Sequence, residues 1–484
     1  MTRWFSDRDH QILTAILALA LGLRVWGLNA PLWFDEIATV ETHLRLPWDE
    51  MMSSYSMNHH YLYSLQAKLF AGLFGEAAWT VRLPAMLFGV GSIAAMWALA
   101  KRVADVRIAH VTALLLALSF HHIWFSQNAR GYTELAFWST LGMIFFLDGL
   151  RDPKLKTWLA YAACLALAIA THLTGFFFFA AQGLIWLGFA ALNVRRLGVL
   201  NDAIRLPALG YLIGGVATLI FYAPILGSVF EVTSSVSDTS QVDVMQEYQN
   251  PLWSILEAFR TVLGSLGPVL GLIAFGVISL GVIGAFQLHR KSPYFAPIVG
   301  LHIALTMALL LALGMRIWPR FFFVDIGFLM LLIIVGVQAV CVWGRQIITF
   351  VPGKAVFPAA VLAMTVLSVG LATRNYAAPK QDLAGAVDYL SANATEGARV
   401  YGVGVAGPLY NSFYEADWAE ISTPEDLDVA LEASGPVYLV IAFPARSFRT
   451  LPRMDEMTDT GQLELVKRFP GTLGDGAVLI FKRV

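Results

Sequence analysis

The sequence predicts a polytopic α-helical membrane protein with a small α/β domain at its C-terminal end. Of its 484 residues, 57% are hydrophobic and only 14% are charged, whereas soluble globular proteins carry roughly 25% charged residues. About eleven stretches are apolar and long enough to cross a hydrocarbon core of about 30 Å. After residue 373, strand-like and helix-like segments replace these stretches. We therefore predict a transmembrane body over residues 1–373 and an α/β domain over residues 374–484.

The predicted spans follow one another through the body with mostly short linkers. They lie at residues 10–28, 81–100, 108–125, 133–150, 156–172, 174–192, 206–225, 266–288, 294–314, 321–343 and 355–373. The first apolar run has no small-residue cleavage site after it, so we expect a membrane helix there and not a removed signal peptide. Beyond the last span, DLAGAVDYLSANA and STPEDLDVALEAS predict helices, and ARVYGVGVA, PVYLVIAF and GAVLIFKRV predict strands.

The charges of the linkers predict the orientation of the helices. The linkers KRVADVR, RDPKLK, NVRRLGVLNDAIR and HRK are basic, as is the segment that holds Arg345 and Lys354. All of them fall on one side of the membrane if the N-terminus is cytoplasmic, which satisfies the positive-inside rule. The opposite, outer face then holds residues 29–80, 126–132, 226–262 and 315–320 and the C-terminal domain.

Two outer segments differ from simple helical hairpin connections. The first outer loop, residues 29–80, mixes aromatic residues and methionines with polar residues, and we expect one or two short helices lying in the plane of the interface. The segment EVTSSVSDTSQVDVMQEYQN is polar and rich in serine and threonine. Loops of this kind often carry function, so we expect a mobile lid there.

An acidic pair, Asp35 and Glu36, opens the first outer loop just after the first predicted span. A general base must lie within hydrogen-bond reach of the hydroxyl that it deprotonates, and the adjacent Trp33 and Phe34 would partly desolvate this pair. Two carboxylates at a helix exit can equally be solvated or cap the next helix. On these residues alone, a general base with a partner carboxylate, a metal ligand and a solvated helix end all remain open.

Histidines and arginines gather on the same predicted face. His59 and His60 in NHHYLYSL suit a phosphate or metal site, and they equally suit an interfacial anchor. Arg130 ends an apolar helix in FSQNARGYTE, and Arg316 and Arg320 in GMRIWPRFFF are outer-face cations in a chain that otherwise places its basic residues inside. A guanidinium can hold phosphate through two parallel hydrogen bonds, although an interfacial arginine can also simply snorkel.

The remaining sequence patterns narrow the class of protein. The formal charge of −1 lacks the basic excess of a nucleic-acid-binding protein. No second cluster with metal-ligand spacing supports a divalent metal, and no required cofactor can be read. The outer-face residues suit a lipid-linked phosphate as ligand, but they also suit a transporter or flippase of an anion, or a non-catalytic membrane scaffold. A transporter would be expected to show paired repeats and polar residues near the midplane, and neither pattern is present.

Four motifs in a fixed order resemble the GT-C superfamily of membrane glycosyltransferases, in its bacterial protein O-mannosyltransferase and aminoarabinose-transferase branch. They are WFDE, NHHYLYSL, WTVRLPAMLFGVGSIAAMWALAKR and HHIWFSQNARGYTELAFW, and WPRFFFVDIGFLMLL resembles a later helix start. The resemblance implies a glycosyltransferase of the bacterial cytoplasmic (inner) membrane. It would move a sugar from a polyprenyl-phosphate donor to a hydroxyl of a protein, lipid or glycan on the extracytoplasmic face.

The resemblance also implies roles for individual residues. Asp35 would be the general base that takes the acceptor proton, and Glu36 would orient it or bind the acceptor. His59 matches the histidine or lysine of the family's HPPLYY-like motif, and Arg130 matches the arginine of its SQEAR-Y motif, with Tyr132 two residues on. These three residues would bind the donor phosphate.

Four further residues are candidates for the same site. Arg316 and Arg320 are additional candidates for binding the donor phosphate, and we expect His60 and Tyr63 to line the substrate pocket. One base and a phosphate leaving group suffice for a single displacement, so we expect the transfer to invert the configuration of the sugar.

The sequence departs from the family motifs at two places. The two prolines of the first motif are His60 and Tyr61 here, which affects the geometry of that loop. The glutamate of the second motif is Asn128, which affects contacts with the donor.

Overall fold

The computed structural model describes residues 7–56, 58–239, 250–263, 268–347 and 355–484. Within these ranges, helices form the membrane body, and a five-stranded mixed sheet with short helices forms the C-terminal domain. The fold class predicted from the sequence is thus confirmed. The segment for which we predicted a lid includes residues 240–249, which lie outside the described residues.

Most helices of the body coincide with the predicted spans, but Leu226–Thr239 and Pro251–Leu263 lie almost entirely in residues 226–262, which we predicted to be an outer loop. The helices of the body are Arg8–Val25, Ala78–Val103, Val106–Ala117, Phe120–Ser126, Tyr132–Arg151, Leu155–Thr171, Gly175–Leu197, Asp202–Tyr222, Leu226–Thr239, Pro251–Leu263, Pro268–His289, Phe295–Ala312, Ile326–Ile347 and Val356–Thr373. Among the described residues, seven helices are long and apolar enough to cross a membrane, or eight if one bent pair is a single span. The other predicted spans correspond to the helices Arg8–Val25, Tyr132–Arg151 and Leu155–Thr171.

The bent pair is a predicted span that breaks in the middle. Its two helices, Val106–Ala117 and Phe120–Ser126, meet at an angle of 61°. The guanidinium of Arg24 donates hydrogen bonds to the Ala117 carbonyl at 3.2 Å and to Ser126 Oγ at 3.0 Å. A carbonyl in the last turn of a helix has no helical partner, so Arg24 stabilises the break by supplying one.

The first outer loop holds more helix than the one or two short segments that we predicted. Its helical segments are Phe34–Thr39, a π-helical turn at Val40–Leu44, Trp48–Ser53 and Tyr61–Phe74. The first of these begins one residue before the acidic pair, so Asp35 and Glu36 both lie in its first turn. Carboxylates in the first turn of a helix interact favourably with the helix dipole.

Five strands form the sheet of the C-terminal domain. They are β1 (Arg399–Val403), β2 (Ala419–Ile421), β3 (Val437–Ala442), β4 (Leu463–Phe469) and β5 (Val478–Arg483). Their spatial order is β2-β1-β3-β5-β4, with β1 parallel to β2 and β3, and β5 antiparallel to β3 and β4. The domain's helices are Leu383–Asn393, Gly407–Tyr414, Pro424–Glu432, Pro444–Thr450 and Pro452–Asp459.

One face of this sheet shares a hydrophobic core with the first outer loop, on which the helix Gly407–Tyr414 packs. Tyr438, Val440 and Ile480 belong to one buried hydrophobic cluster with Ile37 and Val40. Removing apolar surface from water stabilises such a contact by about 25 cal/mol per Å². The C-terminal domain and the helix Phe34–Thr39 of the first outer loop, which we call the acidic helix, therefore share a core.

Lys380 anchors the start of the C-terminal domain to the membrane body, and Gln381 anchors it to the first outer loop. The Nζ of Lys380 donates a hydrogen bond to the Gln127 carbonyl and lies 5.4 Å from the centre of the Trp124 ring. The Oε1 of Gln381 accepts the backbone N–H of Phe34 at 3.3 Å. The chain that leaves the last span is thus tied to the residue just before the acidic pair.

The buried Lys380 gives the stability of the protein a pH dependence. Burial, and then the charge of Arg82, lower the pKa of Lys380 to about 7, whereas an unfolded lysine titrates near pH 10.4. Unfolding therefore takes up a proton between these values, so we expect stability to rise as the pH increases from about 7 to about 10. Thermal unfolding in detergent should show a smaller rise of stability with pH for Lys380→Met than for the wild type. The exposed Lys467→Met is the control, and an unchanged rise in Lys380→Met would contradict the expectation.

Candidate active site

A cavity of about 500 Å³ lies between the C-terminal domain and the end of the membrane body that carries residues 29–80. Aromatic side chains dominate its walls: Trp33, Phe34, Phe120, Trp124, Phe125, Tyr132, Trp318, Phe322, Phe323 and Phe443. Its charged side chains are Asp35, Glu257, Arg316, Arg320, Arg446 and Asp475. A mostly apolar cavity with a few polar groups is the usual form of a small-molecule site.

Asp35 lies in the wall of this cavity between two arginines. Its Oδ2 is 3.3 Å from Nη1 of Arg320 and 3.7 Å from Nη1 of Arg130. The side chain of Asp35 is 17% exposed and that of Arg130 only 3%, so these charges attract one another more strongly than they would in water. Arg130 does not line the cavity; it contacts Asp35 from the protein side.

Asn58 connects this ion pair to the NHHYLYSL segment. Its Oδ1 accepts a hydrogen bond from Arg130 Nη1, and its Nδ2 donates to the Asp35 carbonyl at 3.2 Å. The same Nδ2 lies 3.4 Å from Thr39 Oγ1. We did not select Asn58 from the sequence, because a polar residue in a loop gives no sign of its tertiary partners.

Glu36 points away from the cavity and into the core. Its carboxylate accepts hydrogen bonds from Nε and Nη2 of Arg82 at 2.7 and 2.6 Å, and both side chains are fully buried. It also accepts the backbone N–H groups of Ala129 and Trp33 at 2.7 and 3.2 Å. Burial would raise the pKa of Glu36, but the charges of Arg82 and Lys380 and these hydrogen bonds outweigh it and hold the pKa below its ordinary value. Glu36 is therefore a charged structural anchor of the acidic helix.

Arg82 holds the chain that enters the acidic helix. Besides Glu36, its guanidinium donates to the carbonyls of Leu28, Ala30 and Pro31 at 2.8, 2.7 and 3.0 Å. An arginine has five N–H groups, and all five of Arg82 therefore donate hydrogen bonds within the core. From the sequence, Arg82 was only a charge near the start of the second predicted span, and we did not select it.

Residues 127–131, from the FSQNARGYTE motif, form the hub of the site. Gln127 donates to the Arg24 carbonyl, and Asn128 accepts from the Trp33 indole. The backbone N–H groups of Ala129 and Gly131 donate to Glu36 and to the His60 ring, and Arg130 forms an ion pair with Asp35. The hub packs tightly, since a Cβ on Gly131 would lie 2.6 Å from Cγ2 of Thr171. This short loop therefore sets the relative positions of the acidic helix and the NHHYLYSL segment.

His59 and His60 lie in the interior behind Arg130 and do not line the cavity. The His60 ring packs 4.8 Å from Tyr132 and 4.5 Å from His172, and the His59 ring stacks on His43 at 3.8 Å. Burial lowers the pKa of both His59 and His60, that of His59 to about 4. Both imidazoles are therefore neutral near pH 7 and bring no charge to the site.

The two predicted tyrosines lie in different surroundings. Tyr132 lines the cavity. Tyr63 is fully buried, and its hydroxyl donates to the Val81 carbonyl at 2.6 Å. Tyr63 therefore belongs to the core that holds the helix Tyr61–Phe74 against the membrane body.

Two charged residues of the C-terminal domain line the cavity together with Arg316. They are Arg446 and Asp475, and the Asp475 carboxylate accepts the backbone N–H groups of Ala445 and Arg446 at 3.0 and 3.2 Å. Burial, and then the charge of Arg446, lower the pKa of Arg316. Guanidinium groups from both parts of the chain thus face one cavity. Arg446 was not among the residues selected from the sequence, because FPARSFRT gives no sign that it approaches the membrane body.

Phe443 brings this part of the C-terminal domain onto the acidic helix. Its φ of 54° lies in the left-handed region, which is sparsely populated by bulky residues and costs about 1–3 kcal/mol. The ring of Phe443 lies edge-on to that of Phe34, with centres 5.3 Å apart. The strained backbone thus places an aromatic wall beside Asp35.

Comparisons with known proteins support the fold and the order of the motifs. Residues 58–226 match the family model described as dolichyl-phosphate-mannose-protein mannosyltransferase. A search of curated proteins gave no match. Solved structures match almost the whole chain at low sequence identity, so they bear on the fold.

Two of these structures are of ArnT from Cupriavidus metallidurans. Its apo state shares 15% identity, covers 99% of each chain and has a TM-score of 0.52; its complex with undecaprenyl phosphate shares 14% identity, covers 98% of each chain and has a TM-score of 0.50. A third is the oligosaccharyltransferase AglB from Archaeoglobus fulgidus, in complex with an inhibitory peptide and a dolichol-phosphate. It shares 12% identity over 94% of this chain and 72% of that one, with a TM-score of 0.52. Together with the family match, they confirm the resemblance predicted from the motifs: the chain has a fold of the GT-C type, and its residues 58–226 match the dolichyl-phosphate-mannose-protein mannosyltransferase family model.

Proposed function

We propose that this chain moves a sugar from a polyprenyl-phosphate donor to a hydroxyl of a protein, lipid or glycan on the extracytoplasmic face of the bacterial inner membrane. The observation that carries the proposal is the cavity at the outer end of the body, where Asp35 meets Arg320 and Arg130. ArnT was solved with undecaprenyl phosphate and AglB with a dolichol-phosphate, so this fold accommodates that class of lipid.

The cavity offers surfaces for both parts of such a donor. Arg320 and Arg316 would bind the phosphate, since guanidinium groups match its oxygens in charge and geometry. Ile326 and Leu329, which also line the cavity, belong to the candidate membrane span Pro319–Gly344. They would contact the start of the polyprenyl chain.

Asp35 would act as the general base. It would take the proton of the acceptor hydroxyl while that oxygen attacks the anomeric carbon of the sugar. The bond from this carbon to the phosphate oxygen breaks at the same time, and its electron pair leaves with the phosphate. A single displacement of this kind inverts the configuration, and arginines beside the leaving phosphate stabilise its growing charge.

The other predicted residues would act from behind the cavity. Glu36 would hold the acidic helix through Arg82 without touching the substrate, and Tyr63, His59 and His60 would support the walls by packing. Arg130 would reach the phosphate only when the carboxylate of Asp35 moves aside.

The ion pairs of Asp35 imply an order of events. Arg320 contacts Asp35 at 3.3 Å, but the same guanidinium would bind the donor phosphate. Donor binding would draw Arg320 away from Asp35 and leave the carboxylate free to accept a hydrogen bond from the acceptor hydroxyl, so the donor would bind before the acceptor loses its proton.

Removing the charge of Arg320 should weaken donor binding. We expect Arg320→Met to raise the Kd for undecaprenyl phosphate by roughly 10- to 100-fold, since one charge-assisted interaction is lost. Binding to the purified protein in nanodiscs, followed by native mass spectrometry, measures the effect. Arg453→Met, which changes an exposed arginine of the C-terminal domain, is the matched control. Equal affinities of the two variants would contradict the role of Arg320.

Transfer itself tests the proposal directly. Protein reconstituted in vesicles with a radiolabelled sugar on undecaprenyl phosphate should attach the label covalently to an added membrane extract from the source cells. Label that crosses the vesicle membrane without forming a covalent product would indicate a transporter. The orientation can be tested separately by labelling engineered cysteines in the C-terminal domain from the outer side of intact spheroplasts.

A further inference from the structure

The amide of Asn128 is only half satisfied. Its Oδ1 accepts a hydrogen bond from Nε1 of Trp33 at 3.0 Å, and because an indole nitrogen can only donate, this bond identifies which atom of the amide is the oxygen. The Nδ2 is buried and has no hydrogen-bond partner among the described residues. Leaving a buried donor unsatisfied costs free energy, and the described residues supply no partner that would remove this cost.

Asn128 lines the same cavity as Asp35 and Tyr132. Its side chain is only 1% exposed, so the protein, and not solvent, fixes its orientation. The next residue but one, Arg130, contacts Asp35. A ligand that fills the cavity beside Asp35 would therefore also lie against Asn128.

The neighbours of Asn128 favour the sugar over the phosphate as that ligand group. Phosphate is matched by the arginines of the cavity, to which a neutral amide adds no charge. Trp33, which donates to Asn128, and Trp124 both line the cavity, with ring centres 5.7 Å apart, so the wall beside this amide is largely apolar. A few placed polar groups within apolar walls are what fixes the orientation of a small ligand.

We propose that Nδ2 of Asn128 donates a hydrogen bond to an oxygen of the transferred sugar and so contributes to the choice of sugar. The inference rests on the proposed function, because it takes the sugar of a lipid-linked donor as the ligand. A site that hydrogen-bonds a substrate hydroxyl discriminates strongly against analogues that lack it. Asn128 is thus a specificity-determining residue of the donor site.

Two variants separate the donor group from the structural bond to Trp33. Asn128→Asp keeps an oxygen for Trp33 but replaces the donor with an acceptor, and Asn128→Leu removes both groups without adding charge. Thermal unfolding identifies any variant that fails to fold, and Asn393→Asp, at an exposed position, is the control.

The measurement compares lipids with and without a sugar. The full-length protein is titrated with undecaprenyl phosphate alone and with undecaprenyl phosphate that carries mannose, glucose or aminoarabinose. We expect both variants to bind the sugar-free lipid as the wild type does. We expect both to lose about tenfold in affinity for the sugar-loaded lipid that the wild type binds best, which corresponds to one hydrogen bond.

Each other outcome overturns the inference in a distinct way. An equal loss with both kinds of lipid would place Asn128 at the phosphate, and no loss with either would make it purely structural. A loss confined to Asn128→Asp would reflect the added charge and not the missing donor. Failure of the wild type to bind any of these lipids would overturn the proposed function, and this inference with it.

Discussion

Replacing Asp35 with asparagine should abolish sugar transfer and, at the same time, tighten the binding of undecaprenyl phosphate. The loss of a general base typically lowers the rate by about 10²- to 10⁴-fold. Binding should improve because the carboxylate now lies 3.3 Å from Arg320 and 3.7 Å from Arg130. Removing its charge frees these guanidinium groups and ends its repulsion of the phosphate.

The two opposite effects make this prediction specific. Transfer is followed with a radiolabelled donor and binding by titration with undecaprenyl phosphate. Asp49→Asn, at an exposed acid of the same loop, should change neither quantity. Full transfer activity in Asp35→Asn would refute its role as the base. Weaker binding would show that Asp35 supports the lipid site and does not compete with the phosphate.

Replacing Glu36 with glutamine should destabilise the protein by about 3–5 kcal/mol, because it leaves the buried guanidinium of Arg82 without a counter-charge. The two side chains are fully buried and joined by two hydrogen bonds of 2.7 and 2.6 Å. Thermal and denaturant unfolding in detergent measure the loss. Glu41→Gln breaks the pair with Arg45 on the surface of the same loop and should cost less than about 1 kcal/mol.

A double variant distinguishes a structural role of Glu36 from a chemical one. Adding Arg82→Met to Glu36→Gln removes the uncompensated charge, so part of the lost stability should return. A Glu36→Gln protein that is as stable as the wild type but inactive would instead indicate that Glu36 acts on the substrate, as the family resemblance implies.

The membrane body could be predicted from the sequence because most of its spans are long and apolar. The break between Val106–Ala117 and Phe120–Ser126 could not, since apolar residues continue across it and the partner that stabilises it, Arg24, comes from another helix. In the C-terminal domain, β1, β3 and β5 read as buried strands. The strand β4 lies at the edge of the sheet and exposes most of its residues, so its hydrophobic pattern is weak.

The sequence grouped candidate residues at one end of the body but did not give their contacts. Arg130 and Arg320 were expected on the same side as Asp35, and the structure brings both beside it. Nothing in the sequence separates Asp35 from Glu36. Neighbouring residues of a helix with 3.6 residues per turn point about 100° apart, so one faces the cavity and the other faces the core. Only the packing of that helix decides which.

The interface between the C-terminal domain and the acidic helix limits how freely either part of the chain can be replaced by that of a related protein. Composition changes sharply at residue 373, which suggests an interchangeable module. Yet the helix Gly407–Tyr414 packs on the acidic helix, and the sheet belongs to the same buried cluster as Ile37 and Val40. In addition, Gln381 accepts the backbone N–H of Phe34. A chimaera made at that boundary would inherit a mismatched interface directly beside Asp35, so the acidic loop and the C-terminal domain have to be transplanted together.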